Sequence, residues 1–187
     1  GTVSQATLVY NSEDTAGVSG NFSTTLYTGN GGTLDVTTGI DLSGSNEGLV
    51  WLKKRSGSAN HALYDTVRGA TYGFEGSNSN ASSAQESAGL TAFSSTGFSL
   101  GNRAVTNDNN ATYAAWGWKS ATNFFDIVSY SGNATSNRAI SHNLGSTPGM
   151  IICKSLSAGN WGVWHRSLTG NNGLKLNGTD AAGGPLV

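Results

Sequence analysis

The reactive side chains of this 187-residue chain are few: three histidines, one cysteine and eleven carboxylates. His61, His142 and His165 fall in no H-x-x-x-H or H-E-x-x-H spacing, so zinc-protease geometry is absent. No G-x-S-x-G elbow and no phosphate-cradling Gly-rich loop with its Lys-Ser/Thr occurs. Paired carboxylates for glycoside hydrolysis can be remote in sequence, so Asp65, Glu75, Glu86 and Asp126 are candidates by residue type alone. Asp108, within Asn107–Asn110, offers oxygen ligands of the kind calcium takes, but an Asn-rich turn is the plainer reading. Cys153 sits in an apolar run and reads as a small buried hydrophobe. These observations lead us to expect no catalytic residue, no cofactor and no metal.

Aromatic residues are the better lead. Tyr64, Trp161, Trp164 and His165 stand beside Asn60, Asn160, His61 and Arg166. Rings that cover C–H patches, next to groups that bond hydroxyls, make a generic sugar-binding surface. We therefore take Tyr64, Trp161, Trp164 and His165 as candidate ligand-binding residues. The competing reading is that one ring of each pair is simply core. A third aromatic stretch, Thr112–Lys119, alternates: Tyr113, Ala115 and Gly117 share one face, Trp116 and Trp118 the other. The Trp face is expected to fill the core.

The elements that must position these residues come from a repeat. Gly48–Gly69 (GLVWLKKRSGSANHALYDTVRG) returns altered as Gly149–Gly170 (GMIICKSLSAGNWGVWHRSLTG). Each copy runs Gly, four apolar residues, Lys, a polar turn, Asn, then an alternating apolar run. That reads as a β-hairpin with a long loop. Leu26–Asn30 likewise parallels Ser129–Asn133. Further strands are expected at Phe22–Tyr27, Thr33–Ile40, Leu90–Phe93, Gly97–Leu100, Asn123–Tyr130 and Gly173–Asn177. The continuous apolar run Leu49–Lys53 suits a sheet covered on both faces. Residues 75–89 read as a long polar loop. The organisation expected is an arm or edge strand over 1–20, a first β-sandwich over 21–120, and a second, partial one over 121–187. The chain stops before any counterpart of Gly97–Lys119, so the second module is expected to be incomplete or completed from elsewhere, by Thr7–Tyr10 or by a neighbouring subunit.

Composition supports an all-β class. Gly, Ser, Thr and Asn make up 91 residues, while charged residues are only 11%. Two prolines and 17 clustered aromatics argue against a disordered linker. No stretch sustains a helical apolar period. Net charge is −1, and residues 1–52 hold five acids and no base. The short basic run Lys53-Lys54-Arg55 reads as a solvated turn, so no nucleic acid is expected as partner. No apolar run has membrane-spanning length, and no secretory signal is visible.

At Leu49–Arg55, His61–Gly69, Leu90–Gly101 and Tyr113–Lys119 the chain resembles a family of virion structural proteins of tailed phages, especially marine and cyanobacterial ones. Within Tyr113–Lys119, Ala114 departs where Val is usual, and Tyr130–Asn133, Ile140–Pro148, Ile151–Lys154 and Trp161–His165 resemble the related second pattern of that family. The resemblance covers about residues 22–180. It implies antiparallel β-sandwich modules of the concanavalin-A-like, jelly-roll kind, in tandem. It also implies location in the virion, assembly with other virion proteins and copies of itself, and attachment to a host-surface glycan. The alternative it carries is a purely structural capsid decoration or head-fibre protein. It brings no catalytic residues.

Overall fold

A computed structural model describes residues 18–75, 87–170 and 172–184. The N-terminal apolar patch, most of the polar loop at 75–89, and Glu86 lie outside those residues. The described chain is nearly all β, in antiparallel sheets. β1 (Phe22–Thr28), β2 (Leu34–Thr37), β3 (Gly48–Lys54), β4 (Ala62–Asp65), β5 (Gly73–Glu75), β6 (Leu90–Phe93), β7 (Gly97–Leu100) and β8 (Thr112–Lys119) build the first unit. A single helical turn, α1 (Ala104–Asn107), precedes β8. β9 (Met150–Cys153), β10 (Gly162–His165) and β11 (Leu174–Lys175) form the second. Among the described residues no helix is long and apolar enough to cross a membrane.

The strands assemble into a five-stranded sheet, β1-β8-β3-β4-β5, and two three-stranded sheets, β2-β7-β6 and β11-β10-β9. Alternation assigns the five-stranded sheet two apolar faces. Val50, Leu52, Ala62, Tyr64 and Ala115 pack with Val36, Leu90, Phe98 and Leu100 of β2-β7-β6. This is the main core. On the opposite face Leu63 and Phe74 pack with Trp161 of the third sheet, flanked by Leu49 and Trp51. The continuous apolar run of β3 is thus covered on both sides, as its sequence led us to expect.

Two expectations fail. Residues 123–130 form no strand; only an isolated bridge, Ala121↔Phe125, marks that stretch. A strand needs a partner for its backbone groups, and the partner of the equivalent β1 is β8, which recurs nowhere among the described residues of the second unit. The Trp face of β8 also points away from the main core. Tyr113 and Ala115 are the buried set, and Trp116 and Trp118 are half-buried on the outer face. Gly117 has room to spare, a Cβ there lying 3.7 Å from Ile40, so the inner face is marked by the full burial of Tyr113 and Ala115.

Candidate functional site

The outer face of the five-stranded sheet is an aromatic field laid out by strand register. Thr24, Trp116, Trp51, Leu63 and Phe74 lie opposite one another across all five strands. One step along, Phe22, Trp118 and Leu49 form a second row. Trp51 meets Trp116 edge-on, with centroids 6.3 Å apart, and lies 6.4 Å from Trp118. Trp118 is flanked by Phe22 at 5.3 Å and by Phe125 at 6.3 Å. The Phe74 end is closed by Trp161, edge-on at 5.1 Å, and by the Arg68 guanidinium 3.8 Å from the Phe74 ring centroid. The Trp116 end stays open, beside exposed Thr24 and Leu26.

One polar group is set into this field. The indole N–H of Trp51 donates to Nδ1 of His61 at 2.8 Å. His61 must therefore be neutral at that nitrogen, which leaves Nε2 to carry its proton. Burial, followed by the nearby Lys53 charge, holds its pKa below the ordinary histidine value. Lys53 spans the hairpin turn by donating to the carbonyls of Ala59 and Lys54. What this arrangement can do chemically is offer ring faces and hydrogen-bond donors to a flat, partly apolar ligand. It holds no nucleophile–base pair.

The four ligand-binding residues expected from sequence do not converge. Tyr64 is 1% exposed and belongs to the main core. Its ring and hydroxyl lie so close to Gly73 and Gly89 that a Cβ at either glycine would run into them. Trp161 is 4% exposed, spent on the contact between the sheets. Both are corrected from ligand-facing to packing residues. Trp164 is half-buried and His165 exposed. As neighbours in β10 they point to opposite faces, so they make no common surface. His165 Nδ1 accepts the Ser167 N–H at 3.2 Å. Trp116 and Trp118, which sequence reasoning gave to the core, are half-buried on the outer face beside Trp51. Nothing in the alternation of β8 marks the Trp face as outer, because the other face carries a large ring too, Tyr113.

Asp65, Asp126 and Asp108 are engaged elsewhere, and the side chain of Glu75 lies outside what the structure describes. Asp65 is buried and bonded to Arg68 at 2.5 Å. Asp126 accepts the Asn143 N–H at 2.6 Å. Asp108 pairs with Lys54 at 2.8 Å, and Asn107 is turned fully inward, so the Asn-rich segment presents no converging oxygen set. The Lys54 bridge also removes one charge from the basic run. Among the described residues no group of three His, Cys, Asp or Glu side chains could hold a metal. A second, shallow groove of about 440 Å³ is lined by Gly31–Thr33, Thr91 and Leu100–Asn102 among others, mostly backbone and hydroxyl groups.

Comparison with curated proteins finds no match, and neither does comparison with solved structures. A family model described as a domain of unknown function, DUF7483, matches residues 18–185, which takes in both copies of the hairpin. The chain belongs to the DUF7483 family.

Proposed function

We propose that the chain is a non-enzymatic structural protein of a tailed-phage virion, part of a tail fibre or similar appendage. Its modules would be jelly-roll sandwiches of the concanavalin-A-like kind, attaching to host-surface glycans. The observation that carries the binding half is the open end of the aromatic field: Trp116 half-exposed, with Trp51, Thr24 and Leu26 around it. A pyranose ring stacks on such an indole, and neighbouring donors take its hydroxyls. Weak contacts of this kind become firm through many copies on one particle. The virion half rests on the sequence resemblance at Leu49–Arg55, His61–Gly69 and Tyr113–Lys119. Glycan-array binding of the intact chain tests the reading. The expected result is a defined set of glycans bound by the parent and lost in Trp116→Ala, with the melting profile retained. Equal binding by Trp116→Ala, or no glycan bound at all, sinks it.

A second reading, a capsid decoration or head-fibre subunit, is favoured by the exposed apolar side chains Met150, Ile151, Ile152 and Leu156, which suit burial against neighbours. Antibody label on intact particles separates the two: label on the tail favours attachment, label over the head favours decoration.

A further inference from the structure

All three histidines accept a hydrogen bond at Nδ1, but from different donors. His142 takes the backbone N–H of Leu144 at 3.3 Å and His165 that of Ser167 at 3.2 Å, each two residues on. His61 takes the indole N–H of Trp51, ten residues back, at 2.8 Å. The two rings lie 5.6 Å apart and 73° from parallel. The second hairpin does without this bond. Its register repeats the first, Ile152 facing Val163 as Trp51 faces Leu63. Ile152 stands where Trp51 stands, and Trp161, one residue before Gly162, stands where His61 precedes Ala62. That pair offers no acceptor for an indole N–H. The strands pair alike in both copies, so the Trp51–His61 bond is not what makes a hairpin of this kind.

What the bond fixes is a ring plane. Trp51 is half-buried, and an indole held at its N–H cannot turn without breaking that bond. Its neighbour Trp116 meets it edge-on, the rings 77° from parallel. Among the described residues Trp51 is the one aromatic ring in contact with Trp116. The orientation of the open ring of the field therefore passes through Trp51 to His61.

We infer that His61 is the positioning residue of the aromatic field: its neutral imidazole holds Trp51 against Trp116, and a second proton on that imidazole undoes the arrangement. The imidazolium carries N–H at both nitrogens, so Nδ1 changes from acceptor to donor and faces the indole N–H. The indole must then swing away for its N–H to find water. The charge beside His61 is Lys53, two residues from Trp51 on the same face of β3, its ammonium held by the Ala59 and Lys54 carbonyls. Lys54, on the other face, pairs with Asp108. Asp65 and Arg68 lie past Leu63 and pair with each other. From the third sheet Lys154 reaches the Phe74 ring, 5.6 Å from its centroid. The outer residues of β8 and β1 next to Trp51, which are Trp116, Trp118, Phe22 and Thr24, do not titrate. Burial and then Lys53 keep the His61 pKa below the ordinary value, so the arrangement stands at neutral pH and yields in acid. The consequence for ligand rests on the binding reading above: affinity falls as the proton goes on, by about tenfold per pH unit below the midpoint.

The test is an NMR titration of the indole N–H groups in the intact chain, from about pH 8 to about pH 4. Five tryptophans give five signals, and Trp51→Phe identifies the one that matters. The Trp51 signal should move through a single one-proton transition with its midpoint below about pH 6.5, and the Trp116 signal should move with it. The His61 ring signals, read in the same parent sample, should share that midpoint. His61→Asn places a carbonyl oxygen near the position of Nδ1, so it should keep the neutral-pH spectrum and show no transition. Glycan-array binding should fall with the same midpoint in the parent and stay level in His61→Asn. A Trp51 signal that does not titrate overturns the inference, as does one whose midpoint differs from that of the His61 ring. A transition that persists unchanged in His61→Asn also overturns it. An array that shows no binding at neutral pH removes the glycan reading instead, and the indole titration then decides the role of His61 by itself.

Discussion

Replacing Asn107 by alanine removes four hydrogen bonds at once. Its side chain accepts the Asn30 N–H at 2.8 Å and donates to Asn30 Oδ1 at 3.1 Å, Gly32 O at 2.7 Å and Gly101 O at 2.8 Å. The residue is fully buried, and it ties the Asn30–Gly32 turn to the segment leading into α1. Three backbone groups lose their side-chain partner, while Asn30 Oδ1 keeps the Gly32 N–H. At roughly 1–1.5 kcal/mol per bond, allowing for partial solvation of the freed groups, the loss is about 3–5 kcal/mol. That is a large share of the roughly 5–15 kcal/mol that holds a domain folded. For a chain of this size it lowers the melting temperature by about 6–20 °C. Calorimetry or thermal circular dichroism reads this, with exposed Asn109→Ala as the comparator expected to change stability by under about 0.5 kcal/mol. Asn107→Asp adds a sign test. A buried carboxylate facing two carbonyls has a raised pKa, so the variant is most stable at low pH and loses stability as pH rises. An Asn107→Ala protein melting within about 2 °C of the parent, or an Asn107→Asp protein that gains stability with pH, refutes the buried-bracket reasoning.

Two further outcomes follow from the aromatic field. His61 is held neutral in the fold, so the unfolded chain binds its proton first as pH falls. The stability it contributes is present above about pH 6.5 and declines below it, down through the lowered folded-state pKa. Urea midpoints from pH 8 to 5 measure the decline, and His61→Phe should flatten it; an unchanged slope in the variant discards the Trp51–His61 coupling. Trp161→Ala should cost about 3–5 kcal/mol and speed exchange across β9–β11, because that ring joins the third sheet to Leu63 and Phe74. Trp161→Phe should cost far less, since the buried indole N–H has no hydrogen-bond partner among the described residues. Unaltered exchange in Trp161→Ala would mean that the sheets are held by something else.

Most of the strands were legible because each is an apolar run closed by Gly, Asn or Ser. β3, β6, β7, β8, β9 and β10 all read this way. β5 was missed: three residues, Gly73-Phe74-Glu75, carry no period. The stretch around Phe125–Tyr130 has strand-like residues and no strand, since pairing is a non-local property that composition cannot supply. The candidate site was misread for a related reason. Alternation identifies which residues share a face but not which face is inner. In β8 both faces are apolar, and the choice is decided by Ala115 packing with Val36, Phe98 and Leu100 of β2-β7-β6. Tyr64 and Trp161 likewise look the same in sequence whether they face a ligand or a second sheet. Only the docking of β11-β10-β9 onto Phe74 decides it.

The first sandwich opens and closes at one corner. Asn21, just before β1, bonds through its carbonyl to the N–H of Lys119, at the end of β8, at 2.8 Å. From there seven residue pairs run in antiparallel register, from Phe22↔Trp118 to Thr28↔Thr112. A pull applied between residues 21 and 120 loads this ladder at its last rung. Its rungs then break one after another, as in a zipper, and never share the load as they would in shear. Tension carried along the chain through this module would peel β1 from β8 at low force. On the proposed reading as part of an appendage, the module would have to take its load across the faces of the sheets and not along β1.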